Sequence, residues 1–525
     1  MKRNASVLSI VMALVVATVV VADQAEKIGQ VRFPVSCSPA AQQPFERAVA
    51  LLHSFWYLEA AKAFTQIAQA DPDCAMASWG LAMTNWTQIW SPPPPAALKR
   101  GWEAVERARA AGGKTPRERE FIAAAEAFFK DGDKIDHRTR VLAYGRAMEQ
   151  MAQRYPQDIE VMAFYALSLQ ATADPKDKTY ANQKRSAEIA EKIFAAEPDH
   201  PGAAHYMIHG YDYPPLAQQG LPAARRYAQF APSVPHALHM PSHIYVLLGM
   251  WPDTVKSNIA AAAAEKSRGN PDDHMHALDY LVYGYLQQAQ DGEARRVVDE
   301  ARAIMADLAA RQYDSGRPTA HFAMAAIEAR WAMERARWDE AAAIDPRPNR
   351  FAHTESMIYF ARAIGAARSG NAARARAGVD RLAALKDAMK DAYWAEQIEI
   401  QRRAAAAWTA RAEGRGDEAF ALMRSAVELE ASTEKHNITP GPIVTARELL
   451  GDMLMEAGQP GPAGQAYEAS LRVAPNRFKA LYGVAWAAAR AGDREKAKTY
   501  YGTLLATAAS ADTERPELAE AKAFK

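Results

Sequence analysis

From about residue 45 onward, apolar side chains recur at i, i+3, i+4 and i+7, broken at short intervals by Gly, Pro and Asn. That period predicts amphipathic helices joined by tight turns, and alanine-rich stretches with few β-branched runs point to helix rather than sheet. The C-terminal stretch PIVTARELLGDMLMEAGQPGPAGQAYEASLRVAP is followed by RFKALYGVAWAAARAGDREKAKTYYGTLLATA. At a 34-residue offset Leu450 meets Val484, Gly451 meets Ala485, Ala463 meets Ala497 and Tyr467 meets Tyr501, with Pro475 closing the first unit. Small residues at Gly451 and Ala463 let two helices approach, and Tyr467 fills the space beside them. Ala60, Phe64 and Pro72, with Leu51 and Leu52 before them, repeat the design near the start. Pro198, Pro232 and the turn Leu248–Gly249–Met250–Trp251 mark central units, and fainter hairpins are read at 275–308, 320–345 and 356–385.

This is the period and pattern of the tetratricopeptide repeat, and the chain resembles that family. The HALHMPSHIY run, LDYLVYGYLQ and TPGPIVTARELLGDML further resemble a group of exported bacterial tetratricopeptide proteins. The resemblance implies an all-α fold, an α-solenoid of helical hairpins over 45–525, with histidine-bearing units at 199–290 and C-terminal repeats at 440–510. Ser91 to Pro95, Ala111–Gly113 and Pro346–Arg350 interrupt the helices without the length of interdomain linkers. These joints are expected to curl the array on itself.

The first 22 residues read differently. Lys2 and Arg3 precede an apolar run from Val7 to Val21, then Ala22, the form of a cleavable signal peptide or an uncleaved anchor. Residues 23–44 read as an extended lead-in. Export to the periplasm or outside the cell is therefore expected. In that setting the only two cysteines, Cys37 and Cys74, point to a disulfide between neighbouring helix starts, with two buried thiols as the alternative. The 63 Lys and Arg nearly balance 62 Asp and Glu, so no nucleic-acid footprint is implied, nor any membrane contact beyond the leader. Phosphate loops, HExxH and nucleophile motifs are missing from the sequence.

Chemistry concentrates in two consecutive units. PGAAHYMIHGYDYPP carries His205, His209 and Asp212; PHALHMPSHIYVLLGMW carries His236, His239 and His243. The 34-residue offset carries His205 onto His239 and His209 onto His243. Within each unit the histidines share a helical stripe beside the packing stripe, and in tetratricopeptide proteins that stripe lines the concave groove. The resemblance thus implies a groove continued by His276, Asp279 and Tyr283; His53, just after Leu51–Leu52, either lines the groove of the first unit or has a structural role. Imidazoles at i and i+4 suit a transition metal, and a facing pair would complete four ligands. Zinc, copper, iron and nickel are all admissible, with Asp212 as a ligand or a partner that orients one. Pro241, between His239 and His243, must kink its helix or restart it. Met207, Met240 and Met275 read as core, as do Trp79, Trp86 and Trp90. His321 and His353 read as turn contacts, and Glu434–Lys435–His436 as a loop.

Three functions stay open. One is a binding protein whose groove holds a metal, a peptide or another protein. Another is a metal-dependent enzyme in which Asp212 or Asp279 handles protons. The last is a plain interaction scaffold. The catalytic residues of an enzyme of this kind are not legible.

Overall fold

The computed structural model describes residues 26–87, 89–347 and 349–524; the leader read at residues 1–22 lies outside them. Every regular element among the described residues is helical, from Gln42–His53 to Pro516–Ala523, and successive helices pack as hairpins. None is long and apolar enough to cross a membrane. Helix starts follow ordinary capping chemistry: Thr115 forms a capping box with Glu118, and Asp136, Asp158, Asp391 and Thr445 each accept a first-turn amide.

The turns inside the hairpins share one geometry. Gly249, Gly370, Gly414, Gly458 and Gly492 all adopt positive φ just past a helix end, where an L side chain crowds the backbone. The next amide returns to a carbonyl of the last turn, as in Met250 N–H to Tyr245 O at 2.9 Å. Ala289, Ala336 and Phe55 hold the same position without glycine, at φ 54°, 52° and 55°. Between helices, Tyr467 is wedged between two glycines: a Cβ at Gly451 or at Gly483 would stand 2.6 Å from its ring.

The N-terminal segment is extended until a 3₁₀ turn at Pro39–Ala41, and the first α-helix begins at Gln42, three residues ahead of the boundary read from the sequence. It laces hairpin ends together. Gln30 N–H binds Asp199 O at 2.9 Å, Ser233 N–H binds Lys27 O at 3.1 Å, and Ser36 N–H binds Glu118 Oε1 at 2.6 Å. Cys37 and Cys74 are joined, pinning this strap to the start of helix Ala75–Met83. A loop closed across 37 residues stabilises the folded state by about 4 kcal/mol in the chain-entropy description.

The array doubles back on itself. Trp251 Nε1–H binds Asn476 O at 2.8 Å, Phe478 N–H binds Gln287 Oε1 at 3.0 Å, and the Arg477 guanidinium reaches Tyr283 Oη at 2.6 Å. The 433–445 connection reaches the N-terminal half, where Lys178 Nζ donates to Thr433 O and to Glu434 Oε1, both at 2.7 Å.

Candidate metal centre

Three consecutive repeats supply the histidines, and each of their first helices opens with proline at its first turn: Pro201–Tyr211, Pro235–His239 and Pro271–Gln287. A proline there costs no hydrogen bond, because the first-turn amides have no helical acceptor. It sets the phase of the helix it opens. His205 and His209 stand four and eight residues after Pro201, and His239 and His243 stand likewise after Pro235. Pro241 restarts the second helix as Pro241–Leu247, yet His239 and His243 remain on one side, their Nε2 atoms 3.1 Å apart.

The two pairs do not close on each other as one four-ligand set. Each takes a single histidine from the repeat that comes next in the chain. His236 reaches back to His205, Nε2 to Nε2 at 3.1 Å, and His276 reaches back to His239 at 3.0 Å. The result is two triads, His205–His209–His236 and His239–His243–His276, in each of which one nitrogen per ring lies within 4.8 Å of the others. The triads touch: ring centroids of His209 and His243 are 5.7 Å apart, and those of His236 and His239 are 6.1 Å apart.

Hydrogen bonds behind the rings decide which nitrogen carries the proton. His205 Nδ1 lies 2.7 Å from the carbonyl oxygen of His53, and His239 Nδ1 lies 2.8 Å from Asn258 Oδ1. The Asn258 amide is itself oriented, since its Nδ2 donates to Thr254 O at 2.8 Å. His243 Nδ1 lies 2.9 Å from Asp212 Oδ2. All three partners only accept, so all three Nδ1 atoms donate and the Nε2 atoms present lone pairs. Two lone pairs therefore face each other at 3.1 Å between His239 and His243, which is repulsive unless a cation joins them. Burial resists a proton in that role, pushing His205 down to about 3 and His239 to about 4, and holding His209, His243, His236 and His276 well below the usual histidine range. His209 is buried with neither ring nitrogen hydrogen-bonded.

Asp212 stands behind His243, its Oδ2 shared with Lys435 Nζ at 2.8 Å, so it orients a histidine and is not placed among the converging nitrogens. Burial raises its carboxyl to about 6 against the pull of Lys435. His276, read from the sequence as groove lining, is a member of the second triad. His53 does not line the groove. Its ring is fully buried between Tyr206 Oη, at 2.7 Å from Nδ1, and Glu160 Oε2, at 2.8 Å from Nε2. Glu160 also takes His200 Nε2 at 3.1 Å, and His200 Nδ1 accepts Ala203 N–H. That trio is satisfied by its own hydrogen bonds; the two imidazoles hold the Glu160 carboxyl down at about 2 despite its burial.

Asp279 and Tyr283 are likewise turned elsewhere. Arg330 Nε donates to Asp279 Oδ1 at 3.1 Å, and Tyr283 lies between the Arg330 and Arg477 guanidiniums at 4.7 and 5.5 Å from its ring centre. Arg330 from the next repeat and Arg477 from the C-terminal repeats pack against that side of Pro271–Gln287, so beyond its first turns, which face the cavity through Asp272, Asp273 and His276, the helix is buried all round.

Several neighbours of the triads carry little signal in the sequence. Tyr280 lies against the second triad, 4.7 Å from His239 between ring centroids, with its buried hydroxyl unpaired. Phe55 packs on all three rings of the first triad, nearest to His205 at 4.4 Å. Trp90, grouped with Trp79 and Trp86 by spacing, leaves that buried cluster and meets His209 at 4.8 Å. His209, His236, His239, His243 and His276 all line one cavity of about 1310 Å³, whose other walls include Trp56, Arg100, Glu265, Arg317 and Asn437.

No protein-family model matches the chain, and no curated protein matches it. Among solved structures, the human IFIT1 dimer with m7Gppp-AAAA aligns over 83% of this chain and 90% of its own length, with 11% identity and a TM-score of 0.39. An IFIT1 monomeric mutant with Gppp-AAAA aligns over 82% and 90%, at 11% identity and a TM-score of 0.40. The likeness lies in the run of helices and carries nothing about what this chain binds.

Proposed function

We propose that this chain is an exported helical-repeat binding protein that holds a transition metal in the histidine floor of its central cavity. The observation that carries this reading is the facing of the unprotonated His239 and His243 Nε2 atoms at 3.1 Å, each ring fixed from behind by an acceptor. Metal–imidazole bonds of 2.0–2.1 Å at tetrahedral angles place ligand nitrogens about 3.3 Å apart, close to that spacing. The unpartnered nitrogens of His209 support the same reading, because leaving a buried polar atom unpaired costs about 1–3 kcal/mol. A donor set of imidazoles alone suits zinc, copper, nickel or iron. The disulfide agrees with an oxidising compartment.

A metal-dependent enzyme is the second reading. Each triad supplies three ligands and opens on a cavity, the arrangement of a site with a free coordination position. The protons would not be handled by Asp212 or Asp279, both tied to cations.

Elemental analysis of protein purified without chelator tests metal binding. Bound transition metal in stoichiometric amount is expected, with a loss of at least half in a His239→Gln/His243→Gln variant that keeps its helical circular dichroism. Parent protein that stays metal-free after incubation with zinc, copper, nickel and iron salts would refute the reading.

A further inference from the structure

We propose that the two triads hold two metal ions side by side, and that a small anion entering from the cavity bridges them. This rests on the metal reading above and goes further, in the number of ions and in the ligand they share.

Each triad draws an i, i+4 pair from one repeat and one histidine from the next, and in each the third imidazole meets the first histidine of the pair Nε2 to Nε2, at 3.1 Å in one and 3.0 Å in the other. The first triad also holds His209, buried with neither nitrogen paired, so both sets offer lone pairs to an ion. The gap between them is small: rings within a pair lie 4.8 and 5.0 Å apart, and rings facing across the gap lie 5.7 and 6.1 Å apart. Five of the six histidines reach the same cavity, so both ions would meet one guest.

Charge supplies the ligand class. Six imidazoles are neutral donors, and two divalent ions would bring four positive charges into a largely buried site. Asp212 is the carboxylate hydrogen-bonded to these histidines, and Lys435 already neutralises it at 2.8 Å; Glu265, Asp272 and Asp273 line the same cavity but share it with Arg268 and Arg317, Asp273 accepting from Arg317 at 3.3 Å. Uncompensated buried charge is expensive. Compensation must come through the cavity, and an anion bound by both ions at once is the most effective form, as in other two-metal sites. Hydroxide from solvent has the right size and charge; azide is a probe of the same class.

The test uses full-length protein freed of metal by dialysis. Cobalt(II) is titrated in while its visible absorption is followed, and azide is then added. Two cobalt equivalents are expected, with one azide per pair shifting the spectrum. The variants His209→Gln/His236→Gln and His239→Gln/His276→Gln should each keep about one equivalent and bind azide at least tenfold more weakly. The parent protein alone provides a second measurement. Loaded with two equivalents of copper(II), it should show an electron paramagnetic resonance signal reduced by coupling between the ions. Saturation at one equivalent, two uncoupled full-intensity copper signals, or unchanged azide binding in both variants would overturn the pairing while leaving a single-metal site standing. Failure to take up any metal would overturn the parent reading as well.

Discussion

At the level of single residues, Phe55 shows what the site demands of the backbone. Five of the equivalent hairpin turns use glycine for the left-handed position, and two use alanine. A bulky aromatic there costs on the order of 1 kcal/mol, and its ring covers the first triad. Phe55→Gly is expected to keep the turn and strip the apolar cover, weakening metal affinity about tenfold by the usual size of such outer contacts. Competition against a coloured chelator measures it, and unaltered affinity would mean the ring is there for packing alone. His353 is a separate case, a member of neither triad and stacked on Trp394 at 4.3 Å. Burial lowers it to about 4, and its Nε2 is unpaired. A depressed folded-state value means its stabilising contribution is complete above the unfolded value of 6.5 and is lost as pH falls toward 4. His353→Phe should therefore flatten the fall in melting temperature across that window; an identical slope in parent and variant would remove His353 from the account.

At the level of helices, Arg477 ties repeats together. Its guanidinium is fully buried, donating to Glu448 at 2.7 and 2.8 Å and to Glu334 at 2.8 Å. Arg477→Met would strand two buried carboxylates and is expected to cost about 3–5 kcal/mol. Adding Glu448→Gln should recover part of that, which chemical denaturation can read; a double variant no more stable than the single one would contradict the pairing. The same level explains what the sequence could disclose. Periodicity is a local property, so the hairpins, the small–large packing at Gly451 and Tyr467, and the i, i+4 histidine pairs were all legible. Contacts between repeats are not local. His236 and His276 each serve the repeat before their own, a crossing that helical phase alone does not contain. Asp279 and Tyr283 sit at regular intervals after His276, yet the next repeat gives Asp279 Arg330 as its partner and the returning C-terminal repeats bring Arg477 to Tyr283. Phe55 and Lys435 lacked any signal, because what they do depends on residues far away in the chain, and Asn258, although within one hairpin of His239, is one polar residue on a helix whose facing partner periodicity does not identify.

At the level of the whole molecule, the closing of the array on itself determines what the cavity is. Gly249 sits in a hairpin turn at φ 64°, pressed against the chain at Pro475 and Asn476. A Cβ there would collide with the carbonyl oxygen of Pro475, and backbone cannot rotate away as a side chain can. Gly370 has the same kind of turn, φ 79°, with open space where its Cβ would be. The two positions thus share a conformational cost and differ in what lies beyond. Gly370→Ala should lose about 1 kcal/mol, the penalty of a left-handed alanine. Gly249→Ala should lose about 1–3 kcal/mol more, the range for forcing extra atoms into a packed contact. The second change also acts at a distance. Displacing the 475–478 segment disturbs Trp251, Gln287 and Arg477, the residues through which the C-terminal repeats hold the helix that carries His276. Metal affinity should therefore fall in Gly249→Ala and stay at the parent value in Gly370→Ala. Equal stability losses in the two variants would show that the closure is too loose to matter. A selective loss of stability without any change in affinity would show instead that the histidine floor is held by its own repeats alone.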